Sequence, residues 1–319
     1  MMDLGGAIEA LEKGLVAEAQ GDAANMTKTH VAWGNGSTLH AIGAVYPKDG
    51  FAGTKTWSHT QGGATPLLIL FDSEDGSLRA IIEAFALGQM RTASASGVAT
   101  KWLASNVVQD FAIIGTGKQA IAQVAAVLAV RPIKRVRVFG RNEQRREQFA
   151  ARVKEELEIE AAAARSVAEA VNGAGVITVV TRATEPVLYA EMIERGAHIN
   201  AIGAIVPSRA EIAGDVLGRC SRIVVDSVAQ AQKLSQELVE FIGPPDHEGW
   251  KQVMSLAQLV SAQKSRAAGD DITLFKSLGM GISDLALGMQ LYQKARELGL
   301  GRELSHPQRV PPRLRIAAV

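Results

Sequence analysis

The 319-residue chain is poor in several features, and each scarcity closes off a class of function. Its one cysteine, Cys220, rules out an internal disulfide framework and a cysteine metal cluster, and fits a reducing cytoplasm. No nucleophile pattern surrounds Cys220, which therefore reads as a small buried hydrophobe. A net charge of +1 lacks the basic excess that nucleic acid or an anionic membrane surface demands. No apolar run reaches membrane-spanning length. Asp3, Glu9, Glu12 and Glu18 punctuate the first 21 residues at helical spacing, which makes an amphipathic helix and not a signal peptide. The histidines at 30, 40, 59, 198, 247 and 306 form no H-E-x-x-H arrangement, so no metal site is expected. There is no G-x-S-x-G elbow, and the main glycine turn lacks the lysine and serine or threonine of a triphosphate loop. Hydrolase and kinase chemistry drop out, and small-molecule chemistry in the cytoplasm remains.

What is present centres on Phe111 to Arg141. Phe111, Ala112, Ile113 and Ile114 form a short apolar run of the kind buried on both faces of a parallel sheet. Gly115-Thr116-Gly117-Lys118-Gln119-Ala120 follows, then small or apolar residues at Ala120, Val124, Leu128 and Val130. A second strand, Val136 to Phe139, ends at Gly140-Arg141-Asn142. A strand, glycine turn, helix and strand in this order gather backbone N–H groups and a helix N-terminus where a pyrophosphate can sit. A bare G-x-G also occurs in plain turns; the flanking strands are what favour the dinucleotide.

The flanking regions differ in kind. Before the unit, β-like runs at Thr29 to Trp33 and Thr38 to Val45 bracket Asn35-Gly36, a hairpin signal. Further strands are expected at Gly53 to His59, Pro66 to Phe71 and Leu78 to Phe85, giving a helix followed by an antiparallel sheet. A small-residue helix then runs from Arg91 to Leu103. After the unit, strands at Val176 to Thr181, His198 to Ile202 and Arg222 to Asp226, with a helix at Ala190 to Arg195, imply a doubly wound parallel sheet. Asp270-Asp271 looks like a cap for a helix starting near Ile272. Asp284 to Leu298 reads as a long amphipathic helix stopped by Gly299 and Gly301, and Ser305 to Val319 as an extended arm.

Three cations precede the nucleotide unit: Lys28, Lys55 and Arg91. Lys55 sits between Thr54 and Thr56 in a strand otherwise fit for a core, although a lone strand lysine equally suits a solvated face. Arg91 opens its helix, where the dipole disfavours a cation unless a bound carboxylate offsets it. The stretch Ile199 to Glu211 is a buried strand stopping at Gly203 and turning at Pro207, the place where open α/β sheets hold ligands. Thr181, Asp226 and Ser277 are strand-end residues of the same kind.

With Lys55, R-T-A-S-A-S-G-V-A from Arg91, G-T-G-K-Q-A from Gly115, I-N-A-I-G-A from Ile199 and F-K-S-L-G-M from Phe275, the chain resembles the ornithine cyclodeaminase/μ-crystallin family over roughly Lys28 to Gly301. That resemblance implies a homodimer. It implies a Rossmann domain at 109–283 and an α+β substrate and dimerisation domain from 1–108 and 284–319. It implies NAD(P)H as cofactor, a small amino or imino acid as substrate, and no nucleic acid or membrane partner. Residue by residue, it assigns Lys55 and Arg91 to the substrate carboxylate, with Lys28 in a second carboxylate-binding position and Leu278 beside the substrate. Thr92, Gly115, Thr116, Gly117, Gln119, Thr181, Ile202, Gly203, Arg209 and Ser277 match cofactor positions.

Two departures from the family pattern shape the functional expectation. Ile205 stands where cyclodeaminases and many dehydrogenases of the family carry an aspartate acid/base, and isoleucine transfers no proton. At the second strand's end, Arg141-Asn142 replaces the acid expected on an NAD ribose; Arg141 can meet a 2′-phosphate or stack on adenine, so NAD and NADP stay open. The expected activity is therefore an NAD(P)H-dependent imine reductase, with iminosuccinate to L-aspartate as the first substrate reading and Δ1-pyrroline-2-carboxylate as its competitor. An ornithine cyclodeaminase, an alanine dehydrogenase-like enzyme and a non-catalytic NAD(P)-binding protein are the alternatives.

Overall fold

The computed structural model describes residues 2–34, 36–305 and 310–314. Helix α1 (Leu4–Ala19) begins at Asp3, whose carboxylate accepts from the Gly6 amide. It is followed by β1 (Ala24–Asn25), β2 (Thr29–Trp33), β3 (Ser37–Tyr46), β4 (Phe51–Thr60), β5 (Gly63–Ala64), β6 (Leu67–Asp72) and β7 (Leu78–Glu83). These make an antiparallel sheet of order β1-β3-β4-β6-β7, with β2 also on β3 and β5 also on β4. Trp33 pairs with Ser37, as the expected hairpin requires, although Asn35 in its turn lies outside the described residues.

The two faces of this sheet differ sharply. On one, Ile42, Ala44, Tyr46, Phe51, Lys55, Leu68 and Leu70 are buried, and α1 contributes Leu11 and Leu15 to the same core. On the other, Val31, Leu39, Val45, Leu67 and Ile81 are exposed.

Helix α2 (Phe85–Leu103) leads into β8 (Asp110–Ile114), α3 (Ala120–Leu128), β9 (Arg135–Phe139), α4 (Glu143–Leu157), β10 (Glu160–Ala163), α5 (Val167–Val171), β11 (Val176–Val179) and β12 (His198–Ala201). Then come α6 (Gly214–Gly218), β13 (Cys220–Val225), α7 (Val228–Leu234), α8 (Gln236–Ile242), β14 (Met254–Ser255), α9 (Leu256–Ser261), β15 (Ile272–Lys276) and α10 (Gly281–Glu297). The eight strands form a wholly parallel sheet of order β10-β9-β8-β11-β12-β15-β13-β14. Strand order reverses between β8 and β11, the crevice where such sheets bind dinucleotides. Phe111 to Ile114 are all buried, which explains their unbroken apolarity.

Several expectations change. Ile272 to Lys276 is a fully buried strand, not a helix; Asp270 and Asp271 pair instead with Arg222 and Arg219. The expected helix at Ala190 to Arg195 is a single 3-10 turn, Ala190–Met192. Cys220 is half-buried, its thiol directed at the Val216 carbonyl and pushed up to about 12 by burial. Of the expected C-terminal arm, residues 306–309 and 315–319 lie outside the described residues.

A buried polar chain fastens α2 to the parallel sheet. Asn200 on β12 donates to the Thr100 hydroxyl and meets His198, whose other ring nitrogen meets Thr273 on β15. Thr273 in turn donates to the Leu103 carbonyl. Helix α10 crosses to the antiparallel sheet, where a Cβ on Gly281 would lie 1.9 Å from the Gly43 carbonyl oxygen, so only glycine allows this approach. Together α2 and α10 carry residues of both sheets to one place.

Candidate active site

That place is a buried carboxylate, Asp284, in the first turn of α10, where the helix dipole favours a negative charge. Lys55 Nζ lies 2.5 Å from Asp284 Oδ1, and Arg91 Nε lies 3.4 Å from the same oxygen. Asp284 Oδ2 is buried without a partner. Burial and the Arg91 charge push the Lys55 ammonium down to about 8, against the opposing pull of Asp284. Burial, then Arg91, also lowers Lys28, which Asp226 and Asp284 attract. The three sequence-identified cations therefore form one cluster.

The structural reason for the Arg91 assignment changes. Helix α2 starts at Phe85, so Arg91 lies in its second turn and its charge is balanced by Asp284 rather than opposed by a helix N-terminus. The apolar run before Arg91 continues the helix toward Phe85, where a strand end was expected. Arg91 packs against the turn after β15: a Cβ on Gly279 would lie 3.0 Å from Arg91 Nη1.

That turn is shaped by a second buried acid. Asp226 Oδ2, just beyond β13, accepts from the Ser277 hydroxyl and from the Leu278 and Gly279 amides at 2.6 to 2.9 Å. Burial pushes its pKa up, holding the proton more tightly, while the three donors favour the carboxylate. Leu278 and Ser277 are both buried here.

A third buried acid, Glu211, ties the ends of β11 and β12 together. Its Oε1 accepts from the Thr181 amide and hydroxyl, and its Oε2 from the Gly203 and Ala204 amides. Burial pushes Glu211 up, and Lys276 and these donors oppose the shift. Glu237 accepts from the Glu211 and Ile212 amides and pairs with Lys276 Nζ at 2.6 Å. The Thr181 and Ser277 hydroxyls and the Gly203 amide thus already have buried carboxylate partners, and these residues enter the crevice as positioned backbone.

The nucleotide turn has the shape a pyrophosphate needs. Gly115 has φ +114°, and a Cβ there would lie 2.4 Å from the Val180 carbonyl oxygen. Gly117 has open space around it, so a phosphate can approach the backbone, and α3 begins at Ala120. Gln119 Oε1 is buried without a partner, Thr116 lines the turn against Gly140, and Arg141 is exposed at the end of β9. Thr92, buried, bonds the Gly88 carbonyl one residue beyond Arg91. Arg209 borders a cavity of about 550 Å³ with Thr184, Pro186, Ser208, Glu240 and Phe241, while Ile202 is buried and Ile205 half-buried. These residues fit a dinucleotide. No described helix is long and apolar enough to cross a membrane, and no metal-holding cluster of His, Cys, Asp or Glu exists among the described residues.

Asp284, Glu211, Glu237 and Lys276 carry the geometry yet no short motif marks them as a set. Lys55 and Asp284 stand 229 positions apart. The only local signal is a charged residue in an otherwise core-like run, as at Lys276 in I-T-L-F-K.

The model of the ornithine cyclodeaminase/mu-crystallin family matches residues 3–299. A Delta(1)-pyrroline-2-carboxylate reductase of Bacillus cereus is 32% identical over 275 residues, 83% of this chain and 81% of the relative. Ketimine reductase mu-crystallin of Rattus norvegicus is 35% identical over 225 residues, 70% of this chain and 68% of the relative. The structure of Thermococcus litoralis Delta(1)-pyrroline-2-carboxylate reductase in complex with NADH and L-proline superposes with a TM-score of 0.88 at 28% identity, covering 95% of this chain and 97% of that one.

Proposed function

The chain belongs to the ornithine cyclodeaminase/mu-crystallin family, and we propose that within it this protein is an NAD(P)H-dependent imine reductase that converts a small α-imino acid to an L-amino acid. The observation that carries the reading is the Lys55–Asp284–Arg91 cluster, packed against the turn at the carboxyl end of β15. Arg91 grips the substrate carboxylate, and Lys28 and Lys55 add charge to the same site. Gly115, Thr116, Gly117, Gln119 and Arg141 hold the nucleotide end of the cofactor; Thr92, Thr181, Ile202, Gly203, Arg209 and Ser277 line its path. NAD(P)H, when bound, supplies the hydride for the imine carbon. Lys55 supplies the proton for the imine nitrogen, and its lowered value near 8 suits a group that is charged at neutral pH yet able to release a proton. Solvent restores that proton after turnover.

Charge bears on the choice of substrate. Lys28, Lys55 and Arg91 outnumber Asp284, the carboxylate paired with Lys55 and Arg91, which favours a substrate carboxylate beside them. A cyclic monocarboxylate such as Δ1-pyrroline-2-carboxylate is the first reading, in line with the similar reductases. Iminosuccinate is the second reading; its extra carboxylate would need Lys28 and His59 together. A cyclodeaminase fits less well, because Ile205 offers no proton-transfer group for amine and water.

The largely apolar outer face of the antiparallel sheet, with Val31, Leu39 and Ile81 each about half exposed or more and Glu83 at its β7 edge, supports a homodimer formed through it. Leu39→Glu should shift the mass measured by light scattering from dimer to monomer. For the activity, purified protein is mixed with Δ1-pyrroline-2-carboxylate or with oxaloacetate and ammonia, and NADH and NADPH absorbance is followed across about pH 6 to 9. Oxidation with either imine is expected; none with both overturns the reading and leaves a non-catalytic nucleotide-binding protein.

A further inference from the structure

Beside Lys55, the inner face of the antiparallel sheet carries a row of rings that the cation cluster does not account for. His30 on β2 pairs with His40 on β3, and His40 pairs with Trp57 on β4, so all three side chains project from one face. The His40 and Trp57 rings stack 4.7 Å apart at 12°, and the His30 and His40 rings 5.4 Å apart at 20°. Lys55, two residues before Trp57 on the same face, places Nζ 5.3 Å from the indole centroid. Trp57 and His40 are half-buried, and His30 is exposed at the outer end. His40 Nε2 meets the Thr38 hydroxyl, while Nδ1 is buried without a partner.

The row is also uncharged at its centre. Burial, and then the charges of Lys28, His30 and His59, push His40 down to about 4, so its ring is neutral at neutral pH. The site thus has a cationic end, Lys28, Lys55 and Arg91, directly adjoining a wall of flat rings.

We propose that the His30–His40–Trp57 row is the specificity wall of the substrate site, selecting an imine carried in a flat, uncharged ring whose carboxylate sits on Lys55 and Arg91. This rests on the imine-reductase reading and adds to it the residues that choose among imines. A ring containing C=N is flat beside its carboxylate and matches aromatic neighbours face or edge on. A second carboxylate in the same space would lose part of its water against the ring faces of Trp57 and His40.

The test compares kcat/KM on three substrates: Δ1-pyrroline-2-carboxylate, pyruvate with ammonia, and oxaloacetate with ammonia. Wild type should prefer the cyclic imine. Trp57→Leu should lower kcat/KM on the cyclic imine about fivefold to tenfold more than on the two open-chain imines, mostly through KM. Trp57→Phe, which keeps a ring, should restore most of the loss. Thermal melting and NADH binding check folding; if Trp57→Leu does not fold, His40→Leu carries the same comparison. Equal losses on all three substrates, or a wild-type preference for oxaloacetate with ammonia, overturn the wall while the imine-reductase reading survives. Wild type that reduces none of the three overturns both.

Discussion

Two kinds of buried acid meet in the crevice, and their partners separate their roles. Asp284 is held by side-chain cations, Lys55 and Arg91, and keeps one oxygen free. Glu211 is held almost wholly by backbone amides, four donors on two oxygens with only the Thr181 hydroxyl from a side chain. Asp226 stands between them: two amides and the Ser277 hydroxyl hold Oδ2, while Oδ1 is buried without a partner. An acid paired with a titratable cation sets that cation's protonation. An acid saturated by amides fixes where loops lie. Chemistry should thus depend on Asp284, and cofactor geometry on Glu211 and Asp226.

The sharpest way to break this contrast is Asp284→Asn. Removing one member of a buried ion pair leaves an uncompensated charge, which costs about 3–5 kcal/mol where it is not relieved by deprotonation. Here Lys55 can relieve it by losing its proton. Its value should fall further below about 8, carrying the alkaline limb of the kcat/KM profile to lower pH and reducing kcat/KM at neutral pH about a hundredfold. A lowered rate with an unmoved pH profile would make Asp284 merely structural.

Glu211→Gln should be next. The amide NH2 of glutamine would face at least one buried donor, costing about 1–3 kcal/mol, so the Kd for NAD(P)H should rise about tenfold with the pH profile unmoved. Fluorescence titration of the cofactor measures it. A shift in the pH profile would erase the distinction between the two acids.

The last effect concerns stability alone and leaves activity at neutral pH untouched. Burial holds His198 down to about 3, below the unfolded value near 6.5. The folded state thus prefers neutral imidazole; its contribution is complete above about pH 6.5 and is lost as pH falls from there toward about 3, by about 1.4 kcal/mol per unit. His198→Gln should flatten that part of the melting-temperature profile relative to wild type, with KM unchanged at neutral pH. Parallel profiles for the two proteins would show that His198 does not titrate on unfolding.

The nucleotide unit was legible because its signal is local: one strand, one turn and one helix within thirty residues, each with its own pattern. Lys55 was legible as a cation in a core-like strand, whereas Arg91 was singled out for a helix start that it does not occupy. Their partner was not, since Asp284 reads as an ordinary acid at a helix start and reaches Lys55 only through the crossing of α10 over β3 and β4. The Ile272–Lys276 strand was misread for a related reason. Burial on both faces removes the alternation that marks a strand, and the preceding Asp270-Asp271, taken for a cap, belongs to surface ion pairs.

The position of β15 has a consequence for how the chain comes to be folded. The last strand in sequence lies between β12 and β13, so until it arrives the parallel sheet is split, with β13 and β14 unattached to β8 through β12. Helix α10, which follows at once, closes against α1 and β3 at the opposite end of the chain. Such long-range closure makes folding slow and late. A growing polypeptide must hold its first 270 residues as an unfinished assembly, and the strand that completes the sheet is followed within eight residues by the carboxylate that completes the site.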